Sequence, residues 1–177
     1  MSETSAHIEL ELEAPQGNFL LRRHGHPKEQ LRAWDNADIY LLEEIAQLVE
    51  TKKPKHVLIV NDGFGALSIA LKAYAPHVII DSAHSRRALR ANLSANHNSV
   101  DEVATSTSFQ MKWDSPHETY DLVVMKLPKS NAQLDDQLRR IKHFVGTETT
   151  FIAGAMAKRI QKSTVDSFQR HFEDARC

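Results

Sequence analysis

The stretch VLIVNDGFGALSIAL, from Val57 to Leu71, sets four apolar residues before an acidic, glycine-containing turn and then an Ala/Leu/Ile-rich segment. That order suits a strand, a loop and a helix built to hold a nucleotide-like ligand. Such a loop needs glycines so that the backbone can approach the ligand, and an acid to take one of its polar groups. Gly63 and Gly65 supply a G-x-G pair, but residue 67, where a third glycine of a G-x-G-x-G run falls, is Leu67. A lone G-x-G serves equally well as a tight strand-to-helix turn whose glycines are there for steric reasons. Asp81, at the end of the next apolar run VIID, also reads two ways. It is an acceptor for both hydroxyls of a ribose, or an N-cap or helix-dipole partner for the helix that follows.

The remaining constellations carry less chemistry. Ten histidines are scattered without an H-E-x-x-H run, and His24-Gly-His26 gives two ligands without a third, so no metal site is expected. The single cysteine, Cys177, excludes a disulfide framework. Ser82, His84 and Ser85 are neighbours outside any nucleophile-elbow pattern. Trp34 and Trp113 read as core or rim residues. Cations cluster at Arg22–Arg23, at Lys52, Lys53 and Lys55, at Arg86, Arg87 and Arg90, at Lys126 and Lys129, and at Arg139, Arg140 and Lys142. The second group follows a helix C-terminus, where the dipole favours cations. Asp135–Arg139 and Asp136–Arg140 have the i,i+4 spacing of pairs on a solvated helix face.

The elements that must position these residues follow from periodicity. HIELELEA alternates apolar and charged side chains, QGN breaks it and FLLRR returns, which predicts a hairpin. A helix is expected from Asp35, its cap, with Ala37, Leu41, Ile45 and Leu48 on one face. After Pro54, strands and helices alternate. HVLIV, HVIID, EVATSTSF, YDLVVMKL and TTFIAG read as strands, and helices are expected over 66–74, 85–97, 131–145 and 163–172. Continuous apolar strands between amphipathic helices require a parallel sheet covered on both faces. The division is residues 1–54, hairpin and helix packed on the core, and 55–177, the α/β unit.

Composition agrees with one globular domain: 177 residues, 41% hydrophobic and 25% charged. The formal net charge of −1 announces no global affinity for polyanions, so any basic surface must be local. No apolar run approaches the roughly 20 residues of a membrane span, and the polar start MSETSAHIEL has no signal-peptide core. A cytoplasmic location is expected.

The segments VLIVNDGFGAL, VIIDSAHSRRALRANLSAN and YDLVVMKLPKS resemble the S-adenosylmethionine-dependent methyltransferase fold. More narrowly, LRAWDNADIYLL, NDGFGALS, KLPKSNAQLDDQLRRI and FIAGAMAKRIQKST resemble, in order, the N-terminal half of the ribosomal RNA large subunit methyltransferase G family. The resemblance runs from about Leu31 to the end of the chain. It implies a Rossmann-like class I methyltransferase fold with a mostly parallel sheet, behind the small hairpin and helix. It also implies a parent that methylates a guanine amine of 23S rRNA, with two methyltransferase-like domains in tandem and only the C-terminal one active.

Against that family's active pattern the chain departs at several positions. The loop acid's place is held by Asn61, with Asp62 displaced by one, and Leu67 replaces the third glycine. Asp81 keeps the ribose place. Where active relatives carry Asn-Pro-Pro-aromatic to orient and stack the flipped base, this chain has Lys126-Leu127-Pro128-Lys129. Asn61, Gly63, Gly65 and Asp81 are therefore read as vestigial cofactor positions, with no catalytic residue and no S-adenosylmethionine expected on this domain. Lys126, Lys129, Arg86, Arg87 and Arg90 are the candidates for contact with 23S rRNA. The other expected partner is the C-terminal catalytic domain of the same parent. The alternatives are a purely structural partner domain without RNA contact and a small methyltransferase active in its own right. The full fold of the resembled family carries a further antiparallel strand pair after the fifth strand. Its absence here predicts an open edge at TTFIAG, closed by self-association or by the N-terminal hairpin.

Overall fold

The computed structural model describes residues 10–24, 31–111 and 119–176. The expected hairpin is β1 (Glu11–Ala14) antiparallel to β2 (Gly17–Leu20). His7 and Ile8, the first part of the HIELELEA run, together with His26 and Trp113, lie outside the described residues.

The helix α1 (Asn36–Thr51) starts where the sequence places it. The Asp35 side chain accepts from Ala37 N and Asp38 N, and the Asp38 side chain reaches back to Asp35 N at 2.9 Å, a reciprocal capping box. Beyond it come β3 (Val57–Val60), α2 (Ala66–Ala70), β4 (His77–Ile79), α3 (Ala83–Ala95), β5 (Ala104–Ser106), β6 (Leu122–Lys126), α4 (Asn131–Ile141), β7 (Thr150–Gly154) and α5 (Lys162–His171). Two expected helices are shorter. Both α2 and α4 tighten into 3-10 turns, Lys72–Tyr74 and Lys142–Phe144, a common ending that satisfies terminal carbonyls.

The five later strands form one parallel sheet in the order β5-β4-β3-β6-β7. Strand β3 is buried on both faces. Val57 and Ile59 join a core with α1, α2, α3 and the hairpin, while Leu58 and Val60 face Leu134, Leu138 and Ile141 of α4. Order reverses between β3 and β6, and the crevice beyond their carboxyl ends is the place where this architecture binds ligands.

The hairpin docks on α1 and α3. Leu12 and Leu21 enter the first core, and Gln16 donates to the Leu42 carbonyl. The buried Asn92 amide takes Arg22 N–H on its oxygen and gives its N–H groups to the Arg22 and Phe64 carbonyls. Asn96 does the same for both backbone groups of Leu20. The expectation that the hairpin covers the β7 edge is therefore overturned: its polar edge is spoken for by two asparagines at the opposite flank. Beside β7 and α5 lies a hollow of about 870 Å³, lined in part by Phe151, Val165, Phe168 and Phe172.

Candidate ligand cleft

The crevice at the β3/β6 switch point is a cleft of about 330 Å³. The loop after β3, the Lys126–Lys129 segment after β6, Asp35 and Asp38 of the α1 N-terminus, Arg23 and Arg159 line it. The sequence thus brings Asn61, Gly63, Lys126 and Lys129 into one place. Asp81, past the end of β4, does not line it.

Asn61 and Asp81, two of the four cofactor positions expected from the sequence, are hydrogen-bonded within the chain. Asn61 sits in the left-handed region at φ 64, which asparagine tolerates better than most residues. Its amide pairs reciprocally with Gln137 of α4, at 2.9 Å both ways, and also donates to the Lys126 carbonyl at 3.0 Å. The loop is thereby tied to β6 and α4. Asp62 is buried, and its carboxylate accepts from Gly65 N at 3.0 Å, Ser68 N at 2.8 Å and the Ser68 hydroxyl at 2.6 Å. The displaced acid thus closes the strand-to-helix turn.

The two glycines differ. A Cβ on Gly63 would meet nothing within 4 Å, whereas Gly65 has φ +95 and a Cβ there would lie 2.8 Å from Leu89 Cδ1. Gly65 is required by conformation and by the close approach of α3. Leu67, 0% exposed, is a core side chain directed away from the cleft into the cluster with Leu89 and Leu93.

Asp81 is exposed, and its two oxygens accept from Ser108 N and the Ser108 hydroxyl, each at 2.7 Å. It ties β4 to the loop after β5. The capping alternative for Asp81 is corrected: Ser82 is the N-cap of α3 and accepts from Ser85 N.

Lys126 is the largest departure from the sequence expectation. It is a candidate for RNA contact where the ligand cleft opens, and it does line that cleft, but its side chain is only 15% exposed. The ammonium lies 2.7 Å from Asp35 Oδ1 and 2.8 Å from Asp38 Oδ1. The correction has a simple physical cause: Asp38 is 8% exposed, and a buried carboxylate without a counter-charge is costly. Burial pushes the Asp38 carboxyl up to about 6, against the opposing pull of Lys126. Burial also opposes ionisation of Asp35, but the hydrogen bond and charge of Lys126 outweigh it and hold that carboxyl below its ordinary value. Desolvation likewise pulls Lys126 down, and the two carboxylates more than offset it, leaving the ammonium above its usual range.

Of the other candidates, Lys129 is exposed at the cleft rim. Arg86, Arg87 and Arg90 lie on α3; Arg90 lines a separate hollow with Asp101 and Val103. The expected Asp135–Arg139 pair does not form. Arg139 and Arg140 both bind Asp136 at 2.8 Å, and Asp135 turns to Arg170 and His171 of α5. Sequence reasoning missed Asp38 as a cleft residue and Gln137 as the buried partner of Asn61. Asp38 had one signal, its position three residues after a capping aspartate. Gln137 had none, because its partner is 76 residues away.

No group of three or more His, Cys, Asp or Glu side chains suited to a metal ion occurs among the described residues. Among those residues, no helix is long and apolar enough to cross a membrane.

A parallel five-stranded sheet in the order β5-β4-β3-β6-β7 with its switch-point crevice defines a doubly wound α/β domain. Among solved structures the fold is similar to the Thermus thermophilus 16S rRNA N2 G1207 methyltransferase in complex with AdoMet and guanosine. The TM-score is 0.70 at 15% identity, covering 92% of this chain and 45% of that one. It is also similar to a putative SAM-dependent methyltransferase from Streptococcus mutans, with TM-score 0.61 at 15% identity, covering 90% and 44%. The chain belongs to the RLMG N-terminal domain family, which it matches over residues 9–177. It is 40% identical over 162 residues to the ribosomal RNA large subunit methyltransferase G of Pectobacterium atrosepticum, covering 90% of this chain and 41% of that protein. To the protein of the same name from Streptomyces griseus it is 39% identical over 158 residues, covering 88% and 40%. The chain thus spans about two-fifths of the length of the curated relatives it matches.

Proposed function

We propose that this domain serves a large-subunit rRNA methyltransferase as a non-catalytic module: it keeps the fold of the cofactor-binding domain, binds no S-adenosylmethionine, and supports the catalytic part of a longer parent. The observation that carries the reading is that the ligand's place is taken by the chain's own groups. Lys126 lies between Asp35 and Asp38, and Asn61 is paired with Gln137. All three bonds of the Asp62 carboxylate are internal. A cofactor's amino and hydroxyl groups would have to displace these bonds and be compensated for each. The residues present therefore do not fit the cofactor, and no step of methyl transfer is routed through this domain.

Two roles are then open to the module in the parent, contact with the C-terminal catalytic domain and docking of 23S rRNA. The names of the relatives support the rRNA role, and the chain's spanning about two-fifths of their length supports contact with a further domain. The test of the non-binding reading is calorimetric titration of the chain with S-adenosylmethionine, with Asp81→Ala as control. The expected result is no saturable heat. Micromolar binding abolished by Asp81→Ala would overturn the proposal at its centre.

A further inference from the structure

The cleft just described opens at its rim into a second one, of about 260 Å³, between the start of α4 and the start of α5. Leu127, Pro128, Lys129 and Arg159 line both, so the two form one continuous groove along the carboxyl ends of β6 and β7. Arg23 stands at one end and Lys158 at the other. Lys129, Lys158 and Arg159 are all exposed.

The acids on the groove wall do not balance these cations. Asp35, Asp38 and Asp62 are outnumbered by Arg23, Lys126, Lys129, Lys158 and Arg159, three acids against five cations. Among the described residues, no carboxylate lines the second cleft. A chain with a net charge of −1 thus carries a local cationic track. Low-dielectric walls on either side focus such a field.

We infer that this groove, lined by Arg23, Lys129, Lys158 and Arg159, binds the phosphate backbone of RNA without reading its bases. The inference rests on the preceding proposal that the cleft takes no cofactor, and it names the surface that the domain offers instead. Backbone binding rather than base reading follows from the aromatic rings. The one ring in the groove that reaches solvent, Phe64, has Arg23 stacked 4.9 Å from its centroid and His84 edge-on at 5.9 Å. Trp34 is buried. Among the described residues, a flipped or single-stranded base thus finds no unpartnered ring in the groove on which to stack. Cations spaced along a groove neutralise phosphates whatever the sequence. The α3 arginines, Arg86, Arg87 and Arg90, line neither half of the groove and are assigned no part in it.

The test compares two triple variants of equal charge change, each on the whole chain. One is Lys129→Gln/Lys158→Gln/Arg159→Gln in the groove; the other is Arg86→Gln/Arg87→Gln/Arg90→Gln on α3. The probes are two fluorescein-labelled RNA hairpins of unrelated sequence, titrated by anisotropy at several salt concentrations. Thermal melts confirm that both variants fold. The expected result is that the parent binds both hairpins equally and that its affinity falls steeply with salt. The groove triple should lose at least tenfold in affinity, with a salt slope shallower by about 2–3, given roughly 0.7–0.9 per phosphate contact removed. The α3 triple should bind like the parent.

Several outcomes would overturn the inference: a groove triple that binds like the parent, an α3 triple that loses as much, a strong preference for one hairpin, or no RNA binding by the parent at low salt. Failure of the non-binding proposal would show separately, as heat with S-adenosylmethionine, and would not depend on any of these variants.

Discussion

Replacing Lys126 by methionine tests whether the cleft is closed by its own ion pairs. The change keeps most of the apolar stem and removes the ammonium that bridges Asp35 and Asp38 at 2.7 and 2.8 Å. Removing one partner of a buried pair costs roughly 3–5 kcal/mol. Here the arm to Asp35 is worth little, because that side chain is 47% exposed and solvent screens it. The cost comes from Asp38, 8% exposed, so a loss of about 3 kcal/mol at pH 8 is expected.

The pH dependence sharpens the test. With Lys126 present, burial already pushes the Asp38 carboxyl up from 3.8 to about 6. Without the ammonium it must rise further. A carboxyl held above its unfolded value favours folding fully below that unfolded value, and the benefit is lost as pH rises through the folded one. Lys126→Met should therefore lose least near pH 5, where Asp38 is protonated, and most at pH 8. One pKa unit of additional displacement is worth about 1.4 kcal/mol, so the loss should shrink by at least roughly that much over this range. Adding Asp38→Asn to Lys126→Met should restore most of the loss at pH 8. Urea unfolding of the four members of the cycle at pH 5 and pH 8 measures all of this. A loss below about 1 kcal/mol that does not change with pH would refute the reasoning, since the ion pairs would then not be what fills the cleft.

Two further predictions separate structural from permissive positions. Gly65→Ala, at φ +95 with a Cβ 2.8 Å from Leu89 Cδ1, should cost about 1–3 kcal/mol. Gly63→Ala, with nothing within 4 Å, should stay within about 0.5 kcal/mol of the parent; denaturant midpoints decide between them. Asn92→Ala leaves both backbone groups of Arg22 and the carbonyl of Phe64 without their buried partner. It should cost about 3 kcal/mol, and hydrogen exchange should quicken first in the hairpin. Unchanged protection of residues 10–24 would mean that apolar packing alone holds the hairpin down.

By itself the sequence determined the α/β architecture. Alternation of buried strands such as VLIV and LVVMK with one-sided helices leaves a covered parallel sheet as the packing solution. It determined the turn at Gly65 and the cap at Asp35, because glycine and aspartate act there through bonds and angles within a few residues. Residue types alone also supplied Asn61, Leu67 and Lys126, the departures from the resembled pattern on which the non-binding proposal draws.

The direction in which each charged side chain turns was decided only by the tertiary structure. Lys126 and Lys129 look alike in sequence, three residues apart, yet one is enclosed by Asp35 and Asp38 and the other faces solvent. Asp81 is an acid after a strand in either reading, and its partner Ser108 comes from 27 residues away. Lys158 and Arg159, unremarkable in the chain, acquire meaning only where β7 carries them beside Lys129. Burial and charge pairing are properties of space rather than of spacing. A long side chain turns toward whichever counter-charge the packed elements bring within reach, and that choice is written in no local pattern of residues.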